Sequence, residues 1–330
     1  MGAKVLTTLL TIVIGIGAAL ALFWILNKIS EMLPGRLEER LKPLFYILPA
    51  YAAIVIFVIY PAILTIIYSF QTKVGFPAQE WVGIQNYKDL LGNEGFRDTL
   101  FNTLLWIAIV PVVVVILGLM VAVLADRLQT RGENTVKTLI FMPMAISMVG
   151  ASVVWGLIYD FRPAGRPQIG IQNAIVTGLG GDPIAWIQET NLHFNSFLLM
   201  VMLIWMNVGF AMVLLSAAVK GVPGETLEAA RIDGANERQI FFRVVVPQIK
   251  VTIITVFVTV LISVMKVFDI VYAMTNGGPG YATEVISTEI FKAFSRGQYG
   301  LGTAVSTVLF LITLAAGLVV IRLLERARQQ

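Results

Sequence analysis

Met265-Lys266-Val267-Phe268-Asp269-Ile270-Val271-Tyr272 places two charges and a phenol at three-residue spacing inside a long apolar run. Read as helix, that spacing puts Lys266, Asp269 and Tyr272 on one face, where the charges neutralise each other. A lysine near the centre of a membrane helix costs about 2.5–3.5 kcal/mol on insertion scales, so this face belongs against protein or water. Such a stripe either lines a path for a polar solute or fixes helix packing through a buried pair, and the residues alone leave both open. Trp155 and Tyr159 stand at helical spacing in one apolar run, and Trp205, Asn207 and Phe210 in the next. Aromatic faces beside an amide suit an apolar pocket with a few placed polar groups. The same aromatics also serve ordinary packing or interfacial anchoring.

The remaining inventory excludes most catalysis. With no cysteine there is no thiolate nucleophile, thiolate metal site or disulfide. The single histidine, His193, makes a histidine metal site or catalytic triad untenable and is expected in a solvated loop. No G-x-x-x-x-G-K-(S/T) phosphate loop occurs; Gly277-Gly278-Pro279-Gly280 lacks the following Lys-Ser/Thr and reads as a turn. The expectation is a chain with no catalytic residue, no metal and no cofactor of its own.

A second concentration of polar residues is Glu228–Pro247, EAARIDGANERQIFFRVVVP, an island between two apolar runs. Its charges have both signs: Glu228, Arg231, Asp233, Glu237, Arg238 and Arg243. Ala229 and Ala230 are small enough to let another surface approach the backbone. Gly234 reads as a helix stop, because glycine takes the left-handed position after a helix at least steric cost. Pro247 suits the first turn of a following helix, where its missing N–H is no loss. The pattern predicts helix, glycine turn, short helix. It describes either a docking knob between two spans or an ordinary amphipathic loop.

Of 330 residues, 57% are hydrophobic and 13% charged, against about 25% charged in a soluble domain. The mean hydropathy is +0.82. This is the composition of an integral membrane protein. Apolar runs at 3–26, 44–70, 99–125, 138–160, 195–219, 248–274 and 301–323 predict seven helical spans. Ala19-Leu20-Ala21 looks like a signal-peptide cleavage site, but Leu22-Phe23-Trp24-Ile25 carry the run past it, so a retained first span is expected. Pro49, Pro61, Pro111 and Pro143 lie within the runs and are expected as tolerated kinks.

Basic residues orient the spans. One set of loops holds Lys28, Arg36, Arg40, Lys42, Arg127, Arg131, Lys137, Lys220, Arg231, Arg238, Arg243, Arg322, Arg326 and Arg328. The alternate set holds only Lys4, Lys73, Lys88, Arg97, Arg162, Arg166, Lys292 and Arg296. The positive-inside rule makes the first set cytoplasmic, with the N-terminus outside, the C-terminus inside and Glu228 facing the cytoplasm.

The order Glu228-Ala229-Ala230, three residues, Gly234, then Pro247 resembles the signature loop of the membrane subunits of ABC importers. EAARIDGA with Phe241 and Pro247 is similar to the carbohydrate-uptake branch, the maltose and glycerol-phosphate type of permease. Gly83-Ile84-Gln85-Asn86-Tyr87 resembles a stretch preceding the second span of the family core. Phe268-Asp269-Ile270-Val271-Tyr272 and Thr275-Asn276-Gly277-Gly278-Pro279-Gly280 resemble the end of its penultimate span and the turn after it. The resemblance covers about residues 44–328.

The resemblance implies an all-α, six-span type I permease core over 44–330, with a coupling loop at about 220–247 and an extra N-terminal transmembrane helix and linker over 1–43. Glu228, Ala229, Ala230, Asp233 and Gly234 take the positions of a coupling helix that inserts into a cleft of a cytoplasmic ATPase. Implied partners are a second, non-identical permease, two ATPase subunits that bind ATP and Mg, and an external or periplasmic sugar-binding protein, all at a prokaryotic inner membrane. Nucleic acid is not expected. Ile171-Gln172-Asn173 and Asp182-Pro183-Ile184-Ala185-Trp186 lie in an outer segment that either meets the binding protein or simply closes a loop. An ion-gradient-driven transporter would need more ionisable groups inside the spans than Lys266 and Asp269. Glycerol-phosphate would call for arginine deep in a span, and none lies there, so a neutral sugar or glucoside is expected over an anionic cargo or a polyol.

Because the chain has no cysteine, Glu228→Cys creates a single labelling site. A membrane-impermeant maleimide should modify it in inside-out vesicles and leave it untouched in intact cells; the reverse pattern would invert the topology.

Overall fold

The computed structural model describes residues 2–72 and 80–328; Lys73, counted above with the outer loops, lies outside them. The described residues are almost wholly helical, joined by one isolated bridge between Gln71 and Trp81. In chain order the helices are α1 Gly2–Glu31, α2 Gly35–Tyr68, α3 Gln85–Gly92, α4 Glu94–Asp126, α5 Thr130–Ala145, α6 Met148–Ile158 and α7 Ile171–Gly178. There follow α8 Phe194–Lys220, α9 Gly224–Ile232, α10 Glu237–Gln248, α11 Lys250–Met265, α12 Asp269–Met274, α13 Ile286–Ser295 and α14 Tyr299–Arg328. Among the described residues five helices are long and apolar enough to cross a membrane, or up to seven if each of two bent pairs is one span. The bent pairs are α5 with α6, at 105°, and α10 with α11, at 69°.

The chain divides into two compact units, residues 1–67 and 68–330. The second span, grouped with the core from sequence, therefore clusters with the first, because α2 packs on α1. Phe23 stacks on Tyr46 at 6.2 Å, and the Tyr46 hydroxyl donates to Asn27 Oδ1 at 3.0 Å. Pro61 would clash with the carbonyl four residues back. The helix answers with a wider π-helical turn at Val55–Ile59 and stays continuous.

In the second unit α4 and α8 run parallel and form the centre. Trp106 Nε1 donates to Ser196 Oγ at 3.0 Å at one end, and Lys220 Nζ reaches Asp126 Oδ1 at 3.1 Å at the other. Between them Val110, Val114, Leu199, Leu203 and Met212 are buried together with Val256 and Val260 of α11. Lipid offers no hydrophobic reward for helix association, so close packing of small residues carries it. Gly118 lies against Ala211, where a Cβ would stand 2.6 Å from the alanine methyl. Gly209 lies under the Ile140 carbonyl, at 2.4 Å from an added Cβ, and holds the end of α5 on α8.

Of the prolines expected to kink spans, Pro111 leaves α4 unbroken over 33 residues. Pro143 sits where α5 tightens into a 3₁₀ turn before the 105° bend. Ile146 and Ser147 are extended, and Ser147 Oγ restarts the chain as α6 by accepting from Gly150 N at 3.1 Å.

Replacing Gly209 by alanine should push α5 off α8, since backbone atoms block the new methyl. A loss of about 1–3 kcal/mol is expected, as for other overpacked sites, read as a lowered thermal midpoint of the detergent-extracted protein.

Candidate functional site

The Glu228–Pro247 island folds as its residues dictate. Helix α9 ends in two paired bonds: Ala235 N–H to the Ala230 carbonyl at 3.0 Å, and Gly234 N–H to the Arg231 carbonyl at 3.0 Å. This closure needs a left-handed residue between them, and Gly234 supplies it with φ +83. Asn236 then opens α10 with a capping box: its Oδ1 accepts from Gln239 N–H, and Gln239 Oε1 accepts from Asn236 N–H. Pro247 lies in the first turn of the last helical segment of α10. Inward, Ala230, Leu227 and Ala235 pack on buried Val222, Ile240, Val245 and Ile249. Outward, Glu228, Ala229, Asp233 and Gly234 are exposed, and Ile232 stands 86% exposed at the tip. Of the five residues expected to make the docking knob, Ala230 alone faces inward.

At the base of this loop is a charge cluster that reading the sequence missed. The mostly buried Glu133 carboxylate of α5 accepts from Lys137 at 2.5 Å and from Lys220 of α8 at 2.6 Å. Lys137 also reaches Ser216 at 2.5 Å, and Lys220 reaches Asp126 of α4 at 3.1 Å. Three helix ends are tied at one point. Glu133 and Lys137 at four-residue spacing were legible as a helical pair; the link to Lys220 was not.

The residues considered for a solute path lie on or at the ends of α6, α8, α11 and α12, with α12 packed on α6. Trp155 packs on Tyr159 at 5.2 Å and edge-on to Trp205 at 5.8 Å. Its indole Nε1 is buried with no hydrogen-bond partner among the described residues. Tyr159 is 3% exposed, and its hydroxyl donates to the Leu198 carbonyl at 3.1 Å, which makes it a packing residue. Asn207 is half-buried and donates to the Leu203 carbonyl of its own helix at 2.8 Å; Phe210 is half-buried beside it on α8.

Lys266, Asp269 and Tyr272 do not share one helical face. The helix stops at Met265, Lys266 caps its C-terminus, and Asp269 begins α12. Both charged side chains are exposed and form no ion pair among the described residues. A cation at one helix C-terminus and an anion at the next N-terminus complement the two helix dipoles instead of each other. The break is held by Ser287, whose hydroxyl donates to the Val267 carbonyl at 2.6 Å. Tyr272 joins Phe268 and Phe291 in an aromatic trio with centroids 5.1–5.3 Å apart.

Beyond α12 the chain is pinned by buried asparagines. Asn102 Nδ2 donates to the carbonyls of Tyr281, Ala282 and Glu284 at 3.0–3.2 Å. Glu284, 1% exposed, is bound by Lys292, which also donates to the Asn276 carbonyl at 2.8 Å. Gly277 is required here, because a Cβ would strike the Glu284 carboxylate. Burial, and then the Glu284 charge, push the neighbouring Glu289 carboxyl above its usual range, against Arg296 and Lys292. A raised carboxyl favours the fold below its unfolded pKa and loses that contribution as pH rises through the folded value. Asn173 donates to the carbonyls of Asp160 and Ile184 and accepts from Ile184 N–H and Trp186 Nε1, at 2.9–3.0 Å. Asn173 and Trp186, weighed as surface contacts for a binding protein, point inward and close the loop. His193, expected in a solvated loop, is half-buried, and its ring packs on Phe101 at 4.9 Å.

A bundle of long apolar helices with two bent pairs and a projecting helix-turn is the architecture of a multi-pass membrane protein. Residues 114–329 match the family described as binding-protein-dependent transport system inner membrane component. The alpha-glucoside transport system permease protein AglF of Rhizobium meliloti is 42% identical over 324 residues, covering 94% of each chain. The osmoprotective compounds uptake permease protein GgtC of Synechocystis is 43% identical over 268 residues, covering 81% of this chain and 93% of that one. The fold matches a solved bacterial ABC transporter involved in the import of alginate with a TM-score of 0.71 at 22% identity, over 88% of this chain and 96% of that one. The chain belongs to the binding-protein-dependent transport family and is a multi-pass ABC importer permease.

Replacing Ser287 by alanine strands the Val267 carbonyl. The expected loss is about 0.6–1.7 kcal/mol, the range for polar contacts between membrane helices, seen as a lower thermal midpoint and faster amide exchange over residues 266–272.

Proposed function

We propose that this chain is the membrane subunit of an ATP-driven importer for a neutral sugar or glucoside, with energy entering at the Glu228–Gly234 turn. The observation that carries the reading is the shape of that turn. A short helix ends in a glycine closure, stands on its own apolar cluster, and exposes Glu228, Ala229 and Ile232 at the far side. It is rigid enough to take a load and small enough to enter a cleft. ATP and Mg belong to two partner ATPases on the cytoplasmic side, with the N-terminus of this chain outside and its C-terminus inside. A second permease completes the pathway, and an external binding protein delivers the cargo.

Several observations support a sugar. Relatives carry names that specify alpha-glucoside, trehalose/maltose and diacetylchitobiose uptake. Trp155 and Trp205 offer aromatic faces, and the unpartnered Trp155 N–H is a donor suited to a hydroxyl. Asn207, Phe210, Lys266, Asp269 and Tyr272 lie on or beside the same elements and extend the candidate path. ATP-driven closure of the ATPases would move α9 and α10 together. The Glu133 cluster would pass that movement to α4, α5 and α8.

Proline at position 234 cannot adopt φ +83 and has no N–H for the Arg231 carbonyl. Gly234→Pro should abolish sugar-stimulated ATP hydrolysis in the assembled complex while the spans still insert. Gly234→Asn, which tolerates the left-handed region, should retain most activity. Full stimulation in the proline variant would refute the assignment of the loop.

A further inference from the structure

Between the latter half of α4 and the elbow helix α10 lies an open groove of about 430 Å³. It is lined by Leu119, Met120, Val123, Phe241 and Phe242, together with Arg127 and Arg238. Arg127 is the C-cap of α4, and Arg238 stands in the first turn of α10. Neither guanidinium has an ion pair or hydrogen bond among the described residues. The one carboxylate on the groove, Glu237, is turned to Arg231 Nε at 3.1 Å and leaves both arginines uncompensated. The volume lies within the ~300–1,000 Å³ typical of small-ligand sites.

An apolar slot lined by two unpaired guanidiniums, at the end of a membrane span, has the chemistry of an anionic amphiphile site. A soluble anion has no use for the walls. Basic pockets at the cytoplasmic edge of membrane helices take anionic head groups, and a guanidinium binds phosphate through two parallel N–H donors. We propose that this groove holds the acyl chain of an anionic phospholipid from the cytoplasmic leaflet, with its phosphate between Arg127 and Arg238. The leaflet rests on the orientation given under the proposed function. The lipid joins α4 to α10, so it splints the projecting turn to the central span.

The test is native mass spectrometry of the full chain in its importer complex, released from nanodiscs containing phosphatidylglycerol and phosphatidylcholine. The wild-type complex should retain phosphatidylglycerol in preference to phosphatidylcholine. Arg127→Gln with Arg238→Gln should weaken that retention roughly 30-fold, at about fivefold per cation near the bilayer surface. The double lysine variant should keep most of it. Val123→Phe, which fills the groove and leaves both arginines, should also lower retention and serves if the glutamine variant does not insert. Equal retention of phosphatidylglycerol in all variants, or no preference in the wild type, would overturn the proposal. So would a photo-crosslinker at Phe242 that captures a second permease chain in place of lipid. The readout needs no nucleotide, so its failure is distinct from failure of the coupling assignment.

Discussion

A peptide group in hydrocarbon has no water to bond with, and each break in a membrane helix exposes several such groups. That constraint shapes this protein. At four places where the chain departs from helix inside or beside the bundle, a short polar side chain replaces the lost bond. Ser147 restarts the bent fourth span, Ser287 covers the Val267 carbonyl, Asn102 takes three carbonyls beyond α12, and Asn173 holds both ends of the loop after α6. Of the two bent spans, the fourth has such a support in Ser147.

The same economy of contact governs the centre of the bundle. Gly118 and Gly209 bring α4, α5 and α8 close enough for backbone to meet backbone. A bundle packed this way moves as blocks, because a sub-ångström shift already produces overlap. At one end of the block the Glu133 carboxylate collects two lysines and ties three helix ends. Val222, Ile240, Val245 and Ile249 pack α9 and α10 against the neighbouring helices, and the charge cluster ties the adjacent helix ends. The projecting turn is thus stiffly connected to the bundle. Here the connection is an apolar cluster on one side and a salt-bridge knot on the other.

Much of this was open to inspection in the chain itself. The apolar runs, the glycine stop at Gly234 and the proline at 247 reappear as five long apolar helices and two bent pairs, a left-handed closure and a helical first turn. These features are local: hydrophobic length, steric freedom at one residue, a missing N–H. Lys266 and Asp269 were misplaced for the complementary reason. Three-residue spacing implies a shared face only if the helix continues, and continuity failed because Ser287, twenty residues away, stabilises the break. Asn173 and Trp186 likewise seemed available to a partner until the fold turned them on each other.

The sequence by itself determined which segments enter the membrane, which loop carries the charged glycine turn, and that no thiol, paired histidine or phosphate loop is present. Those properties follow from side-chain transfer energies and from the conformational limits of single residues. Only the tertiary structure decided where spans bend, which asparagines staple loops, that Glu133 joins α4, α5 and α8, and that two arginines flank an apolar groove. Each of these depends on residues far apart in the chain meeting in a solvent that cannot satisfy them singly.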